Sequence, residues 1–524
     1  MRILLTPLVL ACTPPSSTVV EATDTGSTST VQTLPAPEVD AWITTDGLMR
    51  HLEALQDIAD AHGGNRSGAT AGFSASVDYA EGVFEAAGYT VQRIPFTYPG
   101  WEITGPAVLE AAGQSYVDAQ DITPMVFSPS GDVTATLQGV DLVLPPTDNS
   151  SSTSGCETGD FDDFVPGAIA LIQRGTCTFN TKALNAEAAG AVGVLIFNEG
   201  QAGRQDLEPW QLDSETDLTI PVLGTTFSVG DALALAMDEA PVETHMVVDV
   251  LSGILTSENL IVDSAGGDPD QVVVVGGHLD SVPSGAGIND NGSGAALILE
   301  LAVQLAEHDV QPRSTLRFAL WGAEELGLLG SSAYVDALSG SDLDRIVAKL
   351  NFDMLASPNG LPMIYDGDGS GFGIPGPSGS DDIEGIFTAW FEDEGLAFEP
   401  TAFDGRSDYA AFIAEGIPAG GLFSGADATK TSSEVNLYGG TAGIPHDPCY
   451  HQSCDDLNNI DADLFLTLSR AAAHTSWALA DRNDWTRRSA DNAVQPVDIS
   501  PGLGTSCSGG SAHLGALPGE PRDR

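Results

Sequence analysis

Three apolar runs in the middle of the chain each lead into histidine or acidic residues. The runs cover residues 272–275, 316–321 and 347–352, and they lead to His278, to Glu324 and Glu325, and to Asp353. A further acid, Asp290, lies in the glycine-rich turn GINDNGSG, ahead of a helix pattern over 295–307. Short apolar runs bounded by breakers predict buried parallel strands, and ligands gather where such strands end. The spacing therefore predicts one metal pocket at the ends of neighbouring strands.

These residue types suit a centre that holds a pair of metal ions. Zinc binds histidine nitrogen and carboxylate oxygen, and a catalytic zinc site keeps one position open for water. A pair of ions needs a carboxylate that bridges them, and Asp290 lies in a turn that leaves it free to do so. His278 and Asp353 would complete the site of one ion, whereas Glu325 and His451 would complete the site of the other.

Two further acids have other predicted roles. Asp280, two residues after His278, suits the orientation of the imidazole ring. Glu324 adjoins a predicted ligand but stays free, as a general base that acts on water must. Taken singly, Asp290 has a structural explanation as a turn residue, the glutamate pair as the first turn of an exposed helix, and His451 as a residue beside a disulfide. Their occurrence together favours the metal site.

Composition limits the partners of the chain. With 524 residues and a hydrophobic content of 42%, the chain is typical of a globular protein large enough for several domains. The formal charge of −55 arises from 74 acidic and 19 basic residues, which argues against nucleic acid because phosphate binding needs clustered lysine and arginine. The acids are spread along the chain, which favours a solvated acidic surface suited to salt over a dedicated acidic interaction face. No apolar run approaches the length of a membrane-spanning helix.

The N-terminal sequence predicts export. Arg2 precedes a short apolar run that ends at Cys12 in the sequence VLAC, which resembles the lipid-attachment box of bacterial lipoproteins. Residues 1–12 are therefore interpreted as a signal peptide with a lipobox and a lipid on Cys12, and residues 13–38 as a flexible tether. A misassigned start of the chain is the alternative. The expected location is extracellular or in the cell envelope, and the lipid anchor is the one predicted contact with a membrane.

The other cysteines agree with an oxidising compartment. Cys449 and Cys454 are close in sequence, and Cys156 and Cys177 enclose one segment, so each pair is predicted to form a disulfide. A zinc site made of cysteines is not expected, because the chain contains no CxxC pair. Cys507 would be left over if Cys12 carries lipid.

The chain divides into stretches that differ in their predicted secondary structure. Residues 39–103 and 250–485 carry the helix patterns and the apolar runs, and a strand is predicted over 89–96. Residues 104–249 instead contain short β-like runs between glycine, proline and aspartate turns, among them 141–144. We therefore predict one domain built from two separate stretches of the chain and a β-rich insert between them.

The insert contains the segment GAIALIQRGTCTFNTKALNAEAAGAVGVLIFNEG, which resembles the protease-associated (PA) domain, a small β-rich insert of several exopeptidase families. The resemblance covers roughly residues 125–245. The insert carries no recognisable set of catalytic residues. We interpret it as a lid or substrate-access module, with an inert spacer as the alternative. At the other end of the chain, the polar stretch 489–524 is predicted to be disordered.

The remaining domain carries the motifs GGHLDSV, GINDNGSG, WGAEELGLLGS, NFDM and DPCYHQSCDD. Together they resemble the co-catalytic di-zinc aminopeptidases, the family of secreted bacterial leucyl aminopeptidases that also contains glutamate carboxypeptidase II. The resemblance covers about residues 40–103 and 250–480. It implies an α/β zinc-exopeptidase sandwich whose mixed, mostly parallel sheet is flanked by helices.

The same resemblance implies roles for individual residues. It assigns His278, Asp290 and Asp353 to one zinc ion, and Asp290, Glu325 and His451 to the other. It implies that Glu324 is the general acid and base, that Asp280 is the partner of a ligand, that Tyr450 stabilises the tetrahedral intermediate, and that Arg406 lies near the amino end of the substrate.

The predicted function is that of an exported aminopeptidase that uses two zinc ions to hydrolyse the N-terminal bond of peptides or proteins. A carboxypeptidase of the same family is one alternative, but it would need a basic pocket in a chain poor in lysine and arginine. A single-zinc glutaminyl cyclase and a non-catalytic receptor ectodomain are others, and the complete ligand set argues against both. The preferred N-terminal residue, the oligomeric state and the binding of a structural calcium ion among the many aspartates stay open.

Overall fold

The computed structural model describes residues 38–147, 152–208, 210–213, 216–483 and 485. The predicted export signal, including Cys12, the tether up to residue 37, Cys507 and the predicted tail over 489–524 lie outside the described residues. Val39 begins one compact unit that contains both sheets of the structure.

The secondary structure alternates between strands and helices along most of this unit. The strands are β1 (Val91–Ile103), β2 (Val108–Ala111), β3 (Gln114–Ser115), β4 (Ile122–Pro124), β5 (Gly131–Val140), β6 (Ile169–Gln173), β7 (Gly193–Phe197), β8 (Val222–Thr225), β9 (Glu243–Val248), β10 (Val250–Asp263), β11 (Asp268–His278), β12 (Ser314–Trp321), β13 (Ile346–Phe352), β14 (Met363–Tyr365), β15 (Glu399–Thr401) and β16 (Ala419–Phe423). The helices are α1 (Val39–Trp42), α2 (Thr45–Ala61), α3 (Ala71–Ala86), α4 (Phe179–Ala188), α5 (Phe227–Glu239), α6 (Gly294–Glu307), α7 (Leu329–Ala337), α8 (Gly340–Leu343), α9 (Ser380–Glu394), α10 (Ala410–Ala414), α11 (Ser432–Tyr438) and α12 (Ala462–Ala480), with a short 3₁₀ helix at Thr158–Phe161 and a π-helical turn at Ile288–Ser293.

The main sheet has eight strands in the order β1-β10-β12-β11-β13-β16-β14-β15. The central strands β12, β11, β13 and β16 run parallel to one another, and antiparallel pairs join them to β10 and β14 on the two sides. The three apolar runs are therefore adjacent parallel strands, which confirms the predicted mixed sheet. Their carboxyl ends lie at one edge of the sheet.

The central strands are apolar without alternation because helices cover both faces of the sheet. Val273 and Val275 of β11 join the core that includes α2, α3, α6, α9 and α12. Val272 and Val274 point to the opposite face, where they join a second core with residues of α7 and α10. All four valines are buried, so each face of β11 needs apolar side chains.

The covering helices begin at side-chain caps. Thr44, Thr70 and Asp461 accept hydrogen bonds from the free backbone N–H groups at the starts of α2, α3 and α12. Such caps contribute about 1 kcal/mol each and fix where a helix begins. The helix α6 differs because it begins directly at the turn that contains Asp290, and every residue from Gly294 to Ala302 is buried.

The insert forms a second sheet of eight strands, in the order β3-β2-β9-β5-β6-β7-β8-β4. Its strands all lie between Val108 and Val248, and its apolar side chains form cores of their own. The predicted disulfide between Cys156 and Cys177 is present there. The β-rich insert is thus confirmed.

A two-stranded ribbon carries the chain into the insert and back. Strand β1 pairs with β10 in antiparallel register from Val91 opposite Val262 to Ile103 opposite Val250. The strand predicted over 89–96 is therefore too short. Pro95 and Pro99 are tolerated because β1 is the edge strand of the main sheet, where one side of the strand needs no ladder partner.

The prediction of a strand over 141–144 is wrong. Strand β5 ends at Val140, and Asp141 adopts a left-handed backbone conformation with φ of 43°. Aspartate is one of the few residues that enter this region at low cost, so the chain leaves the sheet at that point. Among the described residues, no helix combines the length and the apolar character needed to cross a membrane.

The acidic composition makes stability depend on salt. A formal charge of −55 causes self-repulsion in the folded protein, and added salt screens it. We expect the thermal unfolding temperature to rise as NaCl is increased from about 0.01 M to about 1 M, over which the screening length falls from about 30 Å to about 3 Å. Thermal denaturation followed by circular dichroism, with sucrose of equal osmolality as the control, measures the effect. An unfolding temperature that stayed constant or fell with NaCl would contradict it.

Candidate metal centre

The ends of three parallel strands bring the predicted ligands together. His278 is the last residue of β11, Asp353 directly follows β13, and Glu324 and Glu325 follow β12 after a short turn. His278 is level with Trp321, the last residue of β12. The glycine before His278 allows close approach, since a Cβ atom at Gly277 would overlap with the carbonyl oxygen of Phe352.

One group of ligand atoms surrounds the imidazole of His278. Its Nε2 lies 3.2 Å from Oδ1 of Asp290, 3.3 Å from Oδ1 of Asp353 and 3.9 Å from Oε2 of Glu324. The imidazole is 1% exposed. His278, Glu324 and Asp353 offer ligand atoms within 4.8 Å of one another, and so do His278, Asp290 and Glu325, so that each of these trios could hold a cation.

A second group surrounds His451, which arrives from a distant part of the chain. Its Nε2 lies 3.3 Å from Oδ2 of Asp290 and 3.0 Å from Oε2 of Glu325. Asp290 therefore presents one carboxylate oxygen to each histidine. That is the arrangement of a carboxylate that bridges two cations.

The donor set fits a divalent metal ion of the zinc type. Oε1 of Glu325 and Oδ1 of Asp353 are buried and accept no hydrogen bond. Buried carboxylate oxygens that accept no hydrogen bond are costly, and a cation removes that cost. Two imidazole nitrogens with carboxylate oxygens are the donors that zinc prefers.

Burial and the crowding of carboxylates also shift the pKa values of the site residues. Burial, followed by the repulsion of Asp290, raises the pKa of Glu325 to about 7. Burial disfavours a charged His451, yet its contacts with Asp290 and Glu325 raise the pKa of His451 to about 10. The crowded carboxylates thus demand positive charge, and protons and metal ions compete to supply it.

Asp280 holds the glutamate turn. Its fully buried carboxylate accepts the backbone N–H of Glu324 at 3.1 Å and that of Glu325 at 3.3 Å. The backbone carbonyl of Asp280, 3.1 Å from Nδ1 of His278, is closer to the ring than the carboxylate at 3.6 Å. The ring nitrogen that faces the other ligands is therefore Nε2.

Residues next to the ligands adopt the left-handed backbone conformation. Ala323 (φ 55°) precedes Glu324, Met354 (φ 54°) follows Asp353, and His451 itself has φ of 58°. Non-glycine residues in this region cost energy and persist only where the surrounding structure enforces them. The chain bends sharply at these three positions, which lie beside Glu324, beside Asp353 and at His451.

Tyr450 and Arg406 lie together beside His451. Nη2 of Arg406 donates to the Tyr450 hydroxyl at 3.1 Å, and the rings of Tyr450 and His451 stack with centroids 3.8 Å apart. Nη1 of the same guanidinium lies 3.6 Å from Oδ1 of Asp427. About half of the Arg406 side chain is exposed, so a ligand from solvent can reach it.

Two functional neighbours were missed by the sequence analysis. Oγ of Ser407 donates to Oδ2 of Asp353 at 2.5 Å and fixes that carboxylate. The Asp455 carboxylate accepts the backbone N–H of Asp290 at 3.0 Å and that of Asn289 at 2.9 Å. Both residues lie inside the segments that carry Arg406 and His451, but no pattern in a single sequence separates them from other serines and aspartates.

A further acidic group does not belong to this centre. Asp366, Asp368 and Glu384 approach one another, but their oxygens accept backbone N–H groups of the loop that they brace. A structural calcium ion stays a prediction.

The loop that carries Tyr450 and His451 is closed by a disulfide. Cys449 and Cys454 are bonded, as predicted, across a sequence separation of 5. The bond encloses both functional residues. It therefore limits the conformations that the loop can adopt.

Comparison with known proteins identifies the family. Residues 259–476 match the model of peptidase family M28, and residues 138–233 match that of the PA domain. The aminopeptidase of Pseudomonas aeruginosa is 46% identical over 440 residues, which cover 83% of this chain and 81% of that protein. The probable lipoprotein aminopeptidase LpqL of Mycobacterium tuberculosis is 40% identical over 425 residues, or 80% of this chain and 81% of that protein.

A solved structure shares the fold. The alignment with BSAP, a zinc aminopeptidase from Bacillus subtilis, has a TM-score of 0.54 at 25% identity and covers 83% of this chain and 95% of that chain. Fold and similarity together define a peptidase with an inserted PA domain. The chain belongs to peptidase family M28, which confirms the predicted family resemblance.

The two disulfides are expected to act differently on stability and activity. From the loop lengths, loss of Cys449–Cys454 (separation 5) costs about 2 kcal/mol and loss of Cys156–Cys177 (separation 21) about 3 kcal/mol. The C449S/C454S variant should nevertheless lose more activity, about 10-fold or more, because it frees the loop that aims His451.

The C156S/C177S variant is the matched control, and it should keep its activity. Denaturant unfolding and peptidase assays on both variants measure the contrast. Equal activity loss in the two variants would show that the smaller disulfide does not serve the centre.

Proposed function

We propose that this chain is an exported aminopeptidase that binds two zinc ions and removes N-terminal residues from peptides or proteins. The observation that carries the proposal is the position of Asp290, which presents one oxygen to His278 and the other to His451. The names of the relatives support the activity, and the name of the Bacillus subtilis structure supports the metal. The alternatives of a carboxypeptidase and of a cyclase find no such support.

The residues divide between the two ions through the shared Asp290. His278 and Asp353 would hold one ion together with Asp290, whereas Glu325 and His451 would hold the other. When bound, zinc ions polarise a carbonyl group and lower the pKa of water, which makes water a nucleophile near neutral pH.

Glu324 is proposed as the group that moves the proton. Burial raises its pKa well above the ordinary value, with His278 opposing and Asp408 adding to the rise. A carboxylate with a raised pKa can take a proton from the attacking water and then give it to the departing amine. Its backbone is held by Asp280, so its side chain stays where both transfers occur.

Tyr450 and Arg406 are proposed to meet the substrate. Burial raises the pKa of the Tyr450 hydroxyl, so this group keeps its proton and can donate to the oxyanion that develops at the scissile carbonyl. Arg406 contacts the same hydroxyl and would fix its direction. Its exposed edge would lie near the amino end of the substrate.

Export is proposed on independent grounds. Two disulfides are typical of a protein in an oxidising compartment and support export. The lipobox at Cys12 and the name of the mycobacterial relative support a lipid anchor. The division into a peptidase domain (39–103 and 250–485) and an insert (104–249) is part of the proposal, with the insert as a module that controls access of substrate.

A comparison of blocked and free peptides tests which end of the substrate is attacked. The enzyme should release the aminoacyl group from aminoacyl anilides and cleave C-terminally amidated peptides, but it should leave N-acetylated versions intact. The reason is that an aminopeptidase must bind the free amino group. Mass spectrometry of the products measures both rates. Cleavage of acetylated peptides at the rate of free ones would overturn the aminopeptidase assignment.

Substitution of the two adjacent glutamates separates the proton carrier from the metal ligand. Glu324→Gln should still bind two zinc ions and a competitive inhibitor. Its kcat should fall by roughly 10² to 10⁴, the usual contribution of a positioned acid and base. Glu325→Gln should lose zinc, and added zinc should partly restore its activity.

The zinc content of the purified variants, measured by elemental analysis and compared with their kcat, distinguishes the two roles. Wild-type protein treated with chelator is the control for metal-free activity. If Glu324→Gln lost zinc while Glu325→Gln kept both ions, the two roles would be reversed.

A further inference from the structure

The loop between α2 and α3 places a buried arginine behind the metal centre. Arg66 is 0% exposed, and its side chain donates hydrogen bonds to three backbone carbonyl oxygens. Its Nε donates to Ala286 at 2.9 Å, its Nη2 donates to Gly287 at 2.7 Å, and its Nη1 donates to Leu279. Arginine suits this task because its planar group carries donors that point in several fixed directions.

The three acceptors belong to one short segment of the centre. Residues 279–287 connect His278 and Asp280 to the turn that contains Asp290. The backbone of Arg66 contacts the same segment, because its N–H donates to Oγ of Ser281 at 2.9 Å and its carbonyl accepts the Ser281 N–H at 3.3 Å. Main chain and side chain thus hold the segment together.

The contact with Gly287 leads directly to Asp290. The Gly287 carbonyl accepts from Arg66 and also from the backbone N–H of Gly292 at 2.9 Å, so it links the guanidinium to the far side of the Asp290 turn. Gly287 has φ of 63°, and a Cβ atom there would overlap with the carbonyl oxygen of Asp290. Gly287 therefore packs directly against the backbone of Asp290.

The opposite side of the turn is held independently. The Asp455 carboxylate accepts the backbone N–H groups of Asn289 and Asp290. The backbone of the Asp290 turn is thus held by the Asp455 carboxyl group on one side and by the Arg66 guanidinium on the other. Burial lowers the pKa of Arg66 to about 10. The negative charges of the site oppose this shift and favour the charged guanidinium, and they belong to Asp280, Asp455, Asp290 and Glu325.

We propose that Arg66 is a positioning residue for metal binding, which holds the segment 279–287 so that Asp290 faces both histidines. The inference rests on the proposed function, because it concerns the zinc affinity of that centre. Arg66 lies outside the residues that match the family model, which begin at 259. Its effect reaches the ions only through the segment that it binds.

The test measures zinc affinity in the full-length enzyme. Arg66→Lys keeps the positive charge but cannot reach three carbonyl oxygens in different directions. Wild type and variant are equilibrated with zinc buffered by a series of chelator concentrations, and bound zinc is measured by elemental analysis. The free zinc concentration at half occupancy should rise about 10- to 100-fold in the variant, the usual effect of losing a partner of metal ligands. Activity at limiting zinc should fall, and saturating zinc should restore kcat with KM unchanged.

Arg317→Lys is the matched control. Arg317 is largely buried in β12 and binds Asp263 and Tyr334, away from the segment 279–287. This control should lower the unfolding temperature without moving the zinc midpoint. If Arg66→Lys failed to fold, Ser281→Ala would carry the test, because it removes the hydroxyl that accepts from the Arg66 N–H and that donates to Gly285 within the same segment. It should move the midpoint in the same direction by a smaller factor.

The outcomes are distinguishable. An unchanged zinc midpoint in Arg66→Lys or Ser281→Ala, with a lowered unfolding temperature like that of Arg317→Lys, would assign Arg66 to folding alone and overturn the inference. Wild-type protein that bound no zinc would overturn the proposed function, and the inference with it. A shifted midpoint in the variants beside a normal midpoint in the control supports both.

Discussion

The centre depends on one shared carboxylate. Asp290 faces an imidazole on each side, and three other carboxylates crowd into the same water-poor space at the edge of the sheet. Such a concentration of like charge is unstable unless positive charge enters it. The surroundings are consistent with this requirement, because each ligand backbone or carboxylate is held by a neighbour. Asp280, Ser407 and Asp455 hold the glutamate turn, Asp353 and Asp290, respectively.

The strained backbone and the crowded charges lie in the loops, whereas the buried apolar side chains that stabilise the fold lie in and around the sheet. The strands behind the centre are covered by apolar side chains on both faces, so their positions are fixed by burial. His278, Glu324 and Asp353 lie at or shortly after the strand ends, and the left-handed residues Ala323 and Met354 turn the chain there. The rigid sheet therefore fixes where these side chains begin, whereas their crowded charge still calls for protons or metal ions.

Much of the centre could be predicted because its ligands follow strands whose apolar runs are visible in the sequence. The runs that end at His278, Glu324 and Asp353 obey the rule that parallel strands end at one edge. The contributions of Arg66, Ser407 and Asp455 could not be predicted, because their partners are hydrogen-bonding groups far along the chain and leave no local pattern. The turn at Asp141 was missed for a different reason: a run such as DLVL fits a strand, and only the backbone conformation of its first residue excludes it.

The ribbon formed by β1 and β10 has a consequence for the order in which the chain folds. Every strand of the insert sheet lies between Val108 and Val248, so the insert has all of its strands before the second stretch of the peptidase domain follows. The main sheet cannot follow the same order, because β1 pairs only with β10, which is made after the insert. The helices α2 and α3 must therefore wait, with their apolar faces uncovered, until the second stretch of the peptidase domain emerges.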